Sequence, residues 1–206
     1  MTDNIPTPLS REEAKTLYAR KFSMWLAVGA LSMMFAGFTS AYIVKKADTE
    51  LWNQFEIPSA FLYSTICIVL SSATLLYGTR MIKSQNNTKA YYFALIATLV
   101  LGSIFCYLQY IGWTELMQSG VFLRDDISGA FFYVITGSHF LHVIGGIVVL
   151  AISIFRLYRK RKTGIFDLVL IVDPVVKNRV DLVGIYWHFV DVLWLYLYFF
   201  LVFNHQ

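Results

Sequence analysis

The sequence predicts an all-α integral membrane bundle of five transmembrane helices, and three observations predict it. Hydrophobic residues make up 57% of the 206 residues and charged residues only 15%, against roughly 25% charged in soluble domains. Five apolar stretches recur along the chain, each near the roughly 20 residues a helix needs to cross the hydrocarbon core. The 17 Lys and Arg residues divide 14 to 3 between alternate ends of these stretches, the asymmetry that orients a chain in a membrane.

Residues 1–21 form a polar tail. Its Ser10 to Glu13 segment, Ser-Arg-Glu-Glu, has the pattern of a capping box, in which the serine and glutamate side chains satisfy each other's backbone N–H. A short interfacial helix is expected there. The first span, Phe22 to Val44, is too long for a signal-peptide core and is expected to stay uncleaved. The second runs from Ile57 to Thr79, with Pro58 suited to a first helical turn. Ala90 to Gly112, Gly129 to Phe155 and Leu182 to Phe203 complete the set. Residues 22–206 are expected to form one membrane domain, because the loops carry too little apolar sequence for a second core.

Arg11, Lys15, Arg20 and Lys21 precede the first span, Arg80, Lys83 and Lys89 join the second to the third, and Arg156, Arg159, Lys160, Arg161, Lys162, Lys177 and Arg179 join the fourth to the fifth. The opposite side has Lys45, Lys46 and Arg124. The N-terminus is therefore expected in the cytoplasm and the C-terminus outside. The fourth loop, residues 156–181, is long. It holds an apolar patch, Ile165 to Val172, ended by Asp173 and Pro174, too short to span and expected on the membrane surface or against a partner. Cys67 and Cys106 sit inside apolar runs and read as packing residues. The net charge of +4 comes from residues at helix ends, so no nucleic-acid role is assigned.

Ionisable groups at membrane depth are costly and face the bundle interior. Here they are His139 and His142 in the fourth span and His188 and Asp191 in the fifth. Each pair is three residues apart and shares a helical face. Haem ligation between facing imidazoles conflicts with depth. At 1.5 Å per residue, His188 lies roughly 9 Å from the cytoplasmic end of its span, His139 roughly 24 Å and His142 roughly 20 Å. Axial nitrogens on one iron sit about 4 Å apart, given metal–imidazole bonds near 2 Å. The histidines are therefore read as hydrogen-bonded within the bundle.

Asp191 is expected to be protonated, or paired with His188, His142 or an indole as a structural clasp. A proton relay needs polar neighbours at successive depths, and the third span offers Gln109 alone. Gly145 and Gly146, with Ser71, Ser72 and Ala73, suggest close helix contacts. Trp25, Trp113, Trp187 and Trp194 are expected to anchor interfaces or pack on lipid.

Two motifs resemble a known family. Gly184 to Tyr198 reads Gly-Ile-Tyr-Trp-His-Phe-Val-Asp-Val-Leu-Trp-Leu-Tyr-Leu-Tyr, closely similar to the final-helix signature of haem-copper terminal oxidase (cytochrome c oxidase) subunit III. Thr136 to Gly146, Thr-Gly-Ser-His-Phe-Leu-His-Val-Ile-Gly-Gly, resembles that family's histidine-bearing helix, preceded by Ser-Gly-Val-Phe at Ser119 to Phe122. Weaker echoes are Phe35 to Phe38, Ser64 and Thr65 with Ser71 and Ser72, and Gln109. Together they cover essentially the whole chain after the tail. The larger members begin with two further helices, whereas this chain starts at what would be their third, like the short five-helix bacterial type. The family's mid-membrane glutamate falls on Gly112, with Glu115 at a second acidic position, and Leu31 lies near the place of an acidic residue in the first span.

The resemblance implies a non-catalytic subunit of a proton-translocating oxidase, in the inner membrane of a bacterium, stabilising the core subunit and binding phospholipid in its clefts. It implies no catalytic, cofactor or metal residue in this chain, with haem and copper held by partner subunits. Oxidase subunits I and II, with subunit IV as a third, are the expected partners. His139, His142, Trp187, His188 and Asp191 are then interior clasps or lipid-cleft neighbours. A quinol oxidase subunit III and an accessory subunit of nitric oxide reductase share much of the motif. A transporter would show internal repeats or broken helices, and neither is visible in the sequence.

Overall fold

The computed structural model describes residues 10–48, 52, 55–85, 87–123, 127–162 and 174–205. Five helices follow one another: α1 Arg11–Asp48, α2 Ser59–Gln85, α3 Thr88–Gln118, α4 Ile127–Lys162 and α5 Pro174–His205. All five are long and apolar enough to cross a membrane. The fold is an all-α membrane bundle, and the protein is multi-pass.

Each helix outruns its apolar stretch, because a polar turn that leaves the hydrocarbon has no reason to unwind when its side chains can be solvated. At the start of α1 the capping box is made: Glu13 N donates to Ser10 Oγ at 3.2 Å, and Ser10 N donates to Glu13 Oε2 at 3.1 Å. Residues 11–21 are helical, as the opening turns of α1 rather than as a separate interfacial element. The fourth connection shortens correspondingly, since α4 extends to Lys162 and α5 begins at Pro174. The patch Ile165 to Val172, residues 1–9 and Arg124 lie outside the described residues.

Two residues separate α2 from α3, and Asn87 caps α3 by accepting from Ala90 N at 3.0 Å. So short a link forces the two helices antiparallel along their length, and small residues let them close. A Cβ added at Gly78 would lie 2.4 Å from the Ala94 Cβ, and the Thr74 and Thr98 hydroxyls meet at 3.0 Å. The far end of α3 is stopped by Gly120 at φ +83. Val121 N donates to Leu116 O at 3.0 Å and Gly120 N to Met117 O at 3.2 Å, the paired bonds of a Schellman termination, which needs a left-handed residue that glycine adopts freely.

α4 packs on α3 and α5, and α5 also packs on α2 and α1. α1 rests mainly on α5 and α4 rather than on its sequence neighbour α2. It runs parallel to α5. Lys21 meets Asp181 at one end, Thr39 Oγ1 and Tyr196 OH bond at 2.9 Å between, and Lys46 Nζ donates to the Asn204 carbonyl at the other. Only Phe35, Thr39 and Tyr42 of α1 are buried. Tyr42 sits among the rings of Trp52, Phe131 and Phe200.

Candidate functional site

α5 enters the middle of the bundle at Trp187, which is 1% exposed. Its ring lies between two glycines of different helices. A Cβ at Gly102 of α3 would stand 2.8 Å from Trp187 Cη2, and one at Gly146 of α4 would stand 2.9 Å from Cζ3. Its Nε1 donates to Ser71 Oγ of α2 at 3.0 Å. One side chain thus ties four helices, and the glycines are there because an indole occupies the space any side chain would need. Gly145 has open surroundings by comparison, with the nearest atom to a Cβ at 3.6 Å.

Two turns further along α5, Trp194 is 1% exposed and donates from Nε1 to Thr65 Oγ1 at 2.9 Å. Its ring packs on Phe105 at 5.2 Å and on His139 at 4.9 Å. Trp25 is 60% exposed, whereas Trp187 and Trp194, expected to anchor interfaces or pack on lipid, are buried inside the bundle. Both indoles have a hydroxyl inside the bundle to receive their N–H, so neither needs the headgroup region. Trp113 is intermediate and donates to Thr136 Oγ1 at 3.2 Å.

The five singled-out residues fall into two groups. Trp187, His188 and Asp191 lie along the α2 contact with Ser71 and Ser72. His188 Nδ1 and the Ser72 hydroxyl bond at 2.7 Å. Asp191 is 2% exposed. The Ser72 hydroxyl is its polar neighbour, but among the described residues neither carboxyl oxygen has a hydrogen bond of normal geometry. The expected pairing of Asp191 with His188, His142 or an indole is not made: His188 bonds Ser72, the Trp187 and Trp194 indoles bond Ser71 and Thr65, and His142 bonds the Ser138 carbonyl. A neutral carboxyl suits this position better than a charge, which would be left uncompensated at depth.

His139 and His142 form the second group, on α4 against Phe35 of α1, with ring separations of 6.4 and 6.0 Å. His142 Nδ1 donates to the Ser138 carbonyl at 2.7 Å, and Tyr186 OH donates to the His142 carbonyl at 2.9 Å. His139 is fully buried, and neither ring nitrogen has a partner among the described residues. It is held by aromatic packing rather than by the expected hydrogen bond. Replacing an unpaired buried polar group by an apolar one of similar bulk costs little or stabilises. His139→Leu is therefore expected to keep or raise the thermal midpoint of the purified protein. A fall of several degrees would show that the ring's packing on Phe35, Phe105 and Trp194 outweighs the cost of its unpaired nitrogens.

Gln109 of α3 donates from Nε2 to Ser64 Oγ at 2.8 Å, fixing α3 to α2. Nearly one helical turn beyond it, Gly112 faces the Phe61 ring: a Cβ there would stand 2.5 Å from Phe61 Cε2. Phe61 is itself 1% exposed. The place where a side chain would project from α3 is filled by an aromatic ring from α2.

Two further features went unmarked in the sequence. Asp181, at the start of α5, receives Lys83 of α2 at 2.7 Å and Lys21 of α1 at 3.1 Å. The signal was present as charges from three helices at one membrane boundary. Between the same helices opens a cleft of about 630 Å³, floored by α5. Trp25 and Val28 of α1, and Leu76, Thr79 and Lys83 of α2, line its walls. His188 borders this cleft; His139, His142, Trp187 and Asp191 do not.

The family profile described as Cytochrome c oxidase subunit III matches residues 22–205, nearly the whole bundle. The chain belongs to the cytochrome c oxidase subunit III family. Similar family proteins include Cytochrome c oxidase subunit 3 of Emericella nidulans, 33% identical over 71% of this chain and 48% of that protein. The Gallus gallus protein of the same name is 32% identical over 71% of this chain and 49% of its own length. That of Corynebacterium diphtheriae is 28% identical over 81% of this chain and 78% of its own length. The chain spans about half the length of the first curated relatives it matches, and a larger share of the corynebacterial one.

Proposed function

We propose that the chain is a non-catalytic subunit III of a bacterial haem-copper respiratory oxidase, a cytochrome c oxidase that couples electron transfer to oxygen with proton translocation. The match of the family profile to residues 22–205 carries this reading. The corynebacterial relative, matched over 78% of its length, favours a short bacterial subunit in an inner membrane with the basic helix ends in the cytoplasm. The buried polar groups favour a structural role. Those that are bonded hold helices together, through Trp187 to Ser71, Trp194 to Thr65 and Gln109 to Ser64. Haem and copper then belong to partner subunits I and II, with subunit IV as a further neighbour. Cytochrome c is the electron donor on this reading.

The cleft between α1, α2 and α5 is the proposed phospholipid site. Trp25, Val28, Leu76, Phe189 and Val192 give it an apolar lining for an acyl chain, and Lys83, paired with Asp181 at one end of the cleft, would turn an N–H towards a phosphate there. His188 would be the lipid-cleft neighbour among the five residues, while the other four are interior.

Purification through a tag on this chain in mild detergent, with mass spectrometry of partners and a reduced-minus-oxidised spectrum, tests the proposal. A haem-bearing core subunit and a copper-binding subunit are expected with the chain. Recovery of the chain alone, without haem, would overturn it. In the recovered complex, Lys83→Glu is expected to lower the phospholipid retained per complex while leaving subunit stoichiometry unchanged.

A further inference from the structure

Asp191 takes no part in the bonds that hold the helices together. Its carboxyl is 2% exposed and neither oxygen has a hydrogen bond of normal geometry among the described residues, although almost all buried polar groups are paired. No cation compensates it. α1 has no charged side chain between Lys21 and Lys45, and α2 has none before Arg80. α3 offers Gln109, which turns to Ser64. α4 offers His139, packed against Phe105 and Trp194, and His142, bonded to the Ser138 carbonyl. On α5 the next charged group is Asp181, about 15 Å away along the helix.

What stands beside the carboxyl is the Ser72 hydroxyl of α2. Ser72 is bonded in turn to His188 Nδ1 at 2.7 Å, and His188 borders the cleft between α1, α2 and α5. With Nδ1 engaged, Nε2 is the ring nitrogen left to the cleft. A carboxyl, a hydroxyl and an imidazole thus stand in line from the closed interior to an open wall. No solute can follow that route, since the carboxyl oxygens are enclosed. A proton can, because each of the three groups both donates and accepts.

The cleft continues the line outward. Thr79, Lys83 and Asp181 line it towards the membrane boundary, and Asp181 lies roughly 10 Å along α5 from His188. A water takes roughly 30 Å³, so a cleft of about 630 Å³ has room for a file of them beside an acyl chain. The earlier objection to a relay, that α3 offers Gln109 alone, falls away here. The polar groups at successive depths come from α2 and α5.

We propose that Asp191, Ser72 and His188 form a proton-exchange line between the bundle interior and the cleft on the basic side of the membrane, with Asp191 as the proton-holding end. In release, the Asp191 O–H bond breaks and its proton passes to Ser72 Oγ. The Ser72 proton passes to His188 Nδ1, and the Nε2 proton passes to a water in the cleft. One proton leaves as hydronium, a carboxylate stays behind, and His188 ends neutral as its other tautomer. Uptake reverses each transfer, and no electron moves. An uncompensated carboxylate at this depth is costly, so the site is filled at rest and the line shows itself as exchange. A cation brought against this part of α5 by a partner would turn exchange into net release. The line rests on the geometry of the cleft and not on the subunit assignment.

Infrared spectroscopy of the full chain in its native membrane tests this. The carboxyl C=O band of Asp191 is the one missing from Asp191→Asn, which keeps the shape and is expected to accumulate normally. On transfer to D2O the band is expected to shift as O–H becomes O–D. That exchange should slow at least tenfold in Ser72→Ala and in His188→Phe, the effect on a rate of losing about one net hydrogen bond. Ser72→Thr keeps the hydroxyl and should keep the rate. A merely structural role predicts the opposite sign, since a loosened bundle exchanges faster. A band that never exchanges in the wild type, exchange as fast in either disruptive variant, or the absence of any carboxyl band from Asp191 would overturn the proposal.

Discussion

Trp187→Ala is expected to be the most damaging single substitution in the bundle. Truncation of a buried tryptophan costs about 3–5 kcal/mol in soluble cores, and here the loss has an added component. The ring fills the space between Gly102 and Gly146, two backbones that cannot close onto an alanine without moving α3 and α4 together, and Ser71 loses the donor to its hydroxyl. Thermal unfolding in detergent should show a lowered midpoint, and the amount of chain in the membrane should fall. Trp187→Phe restores most of the bulk without the N–H and should recover part of the loss, separating packing from hydrogen bonding. A midpoint unchanged in Trp187→Ala would mean that the four helices are not held at this point.

Gly112→Glu is expected to be nearly as harmful, for the opposite reason. A side chain there meets Phe61 at once, and Phe61 is backed by Phe132 at 5.3 Å and Trp194 at 6.4 Å. Overpacking of this kind costs about 1–3 kcal/mol, and a buried carboxyl without a partner adds to it. The double variant Phe61→Ala, Gly112→Glu should be more stable than Gly112→Glu alone, because the ring that obstructs the new side chain has gone. Additive losses in the two variants would refute the steric account. If this position bears a glutamate in the larger relatives, the contrast is a matter of space: here α2 has filled it.

The bundle itself was legible because apolar stretches long enough to cross a membrane have few alternatives. The helix ends were less so. Residues 11–21 and 156–162 are polar, so hydropathy sets the span at the lipid boundary, whereas the backbone stays helical beyond it. The interior was legible in part. Gly146, Ser71 and Trp187 could each be named from small-residue and motif arguments, but not as one contact. Every face of such a helix is apolar, so no contrast between wet and dry sides tells which residues meet. Trp194 was placed at an interface for that reason and lies in the centre. Asp191 was assigned partners by their depth in the membrane, whereas hydroxyls of α2 take the bonds of His188 and the two indoles, and the Ser138 carbonyl takes that of His142. That α1 and α5 start side by side left little trace in the sequence, since only the opposite charges of Lys21 and Asp181 mark the pairing.

That parallel arrangement also bears on how the chain is made. α2 and α3 can pair as soon as both have been synthesised, since two residues join them and closing a short loop is cheap. α1 has no such option. Its packing partners are α4 and α5, and its bonds to Asp181, Tyr196 and Asn204 reach across some 160 residues of chain. Of these five helices α1 therefore waits longest for its partners, and a chain cut short before α5 lacks every bond that Lys21, Thr39 and Lys46 make along its length, leaving α1 only its contact with α4.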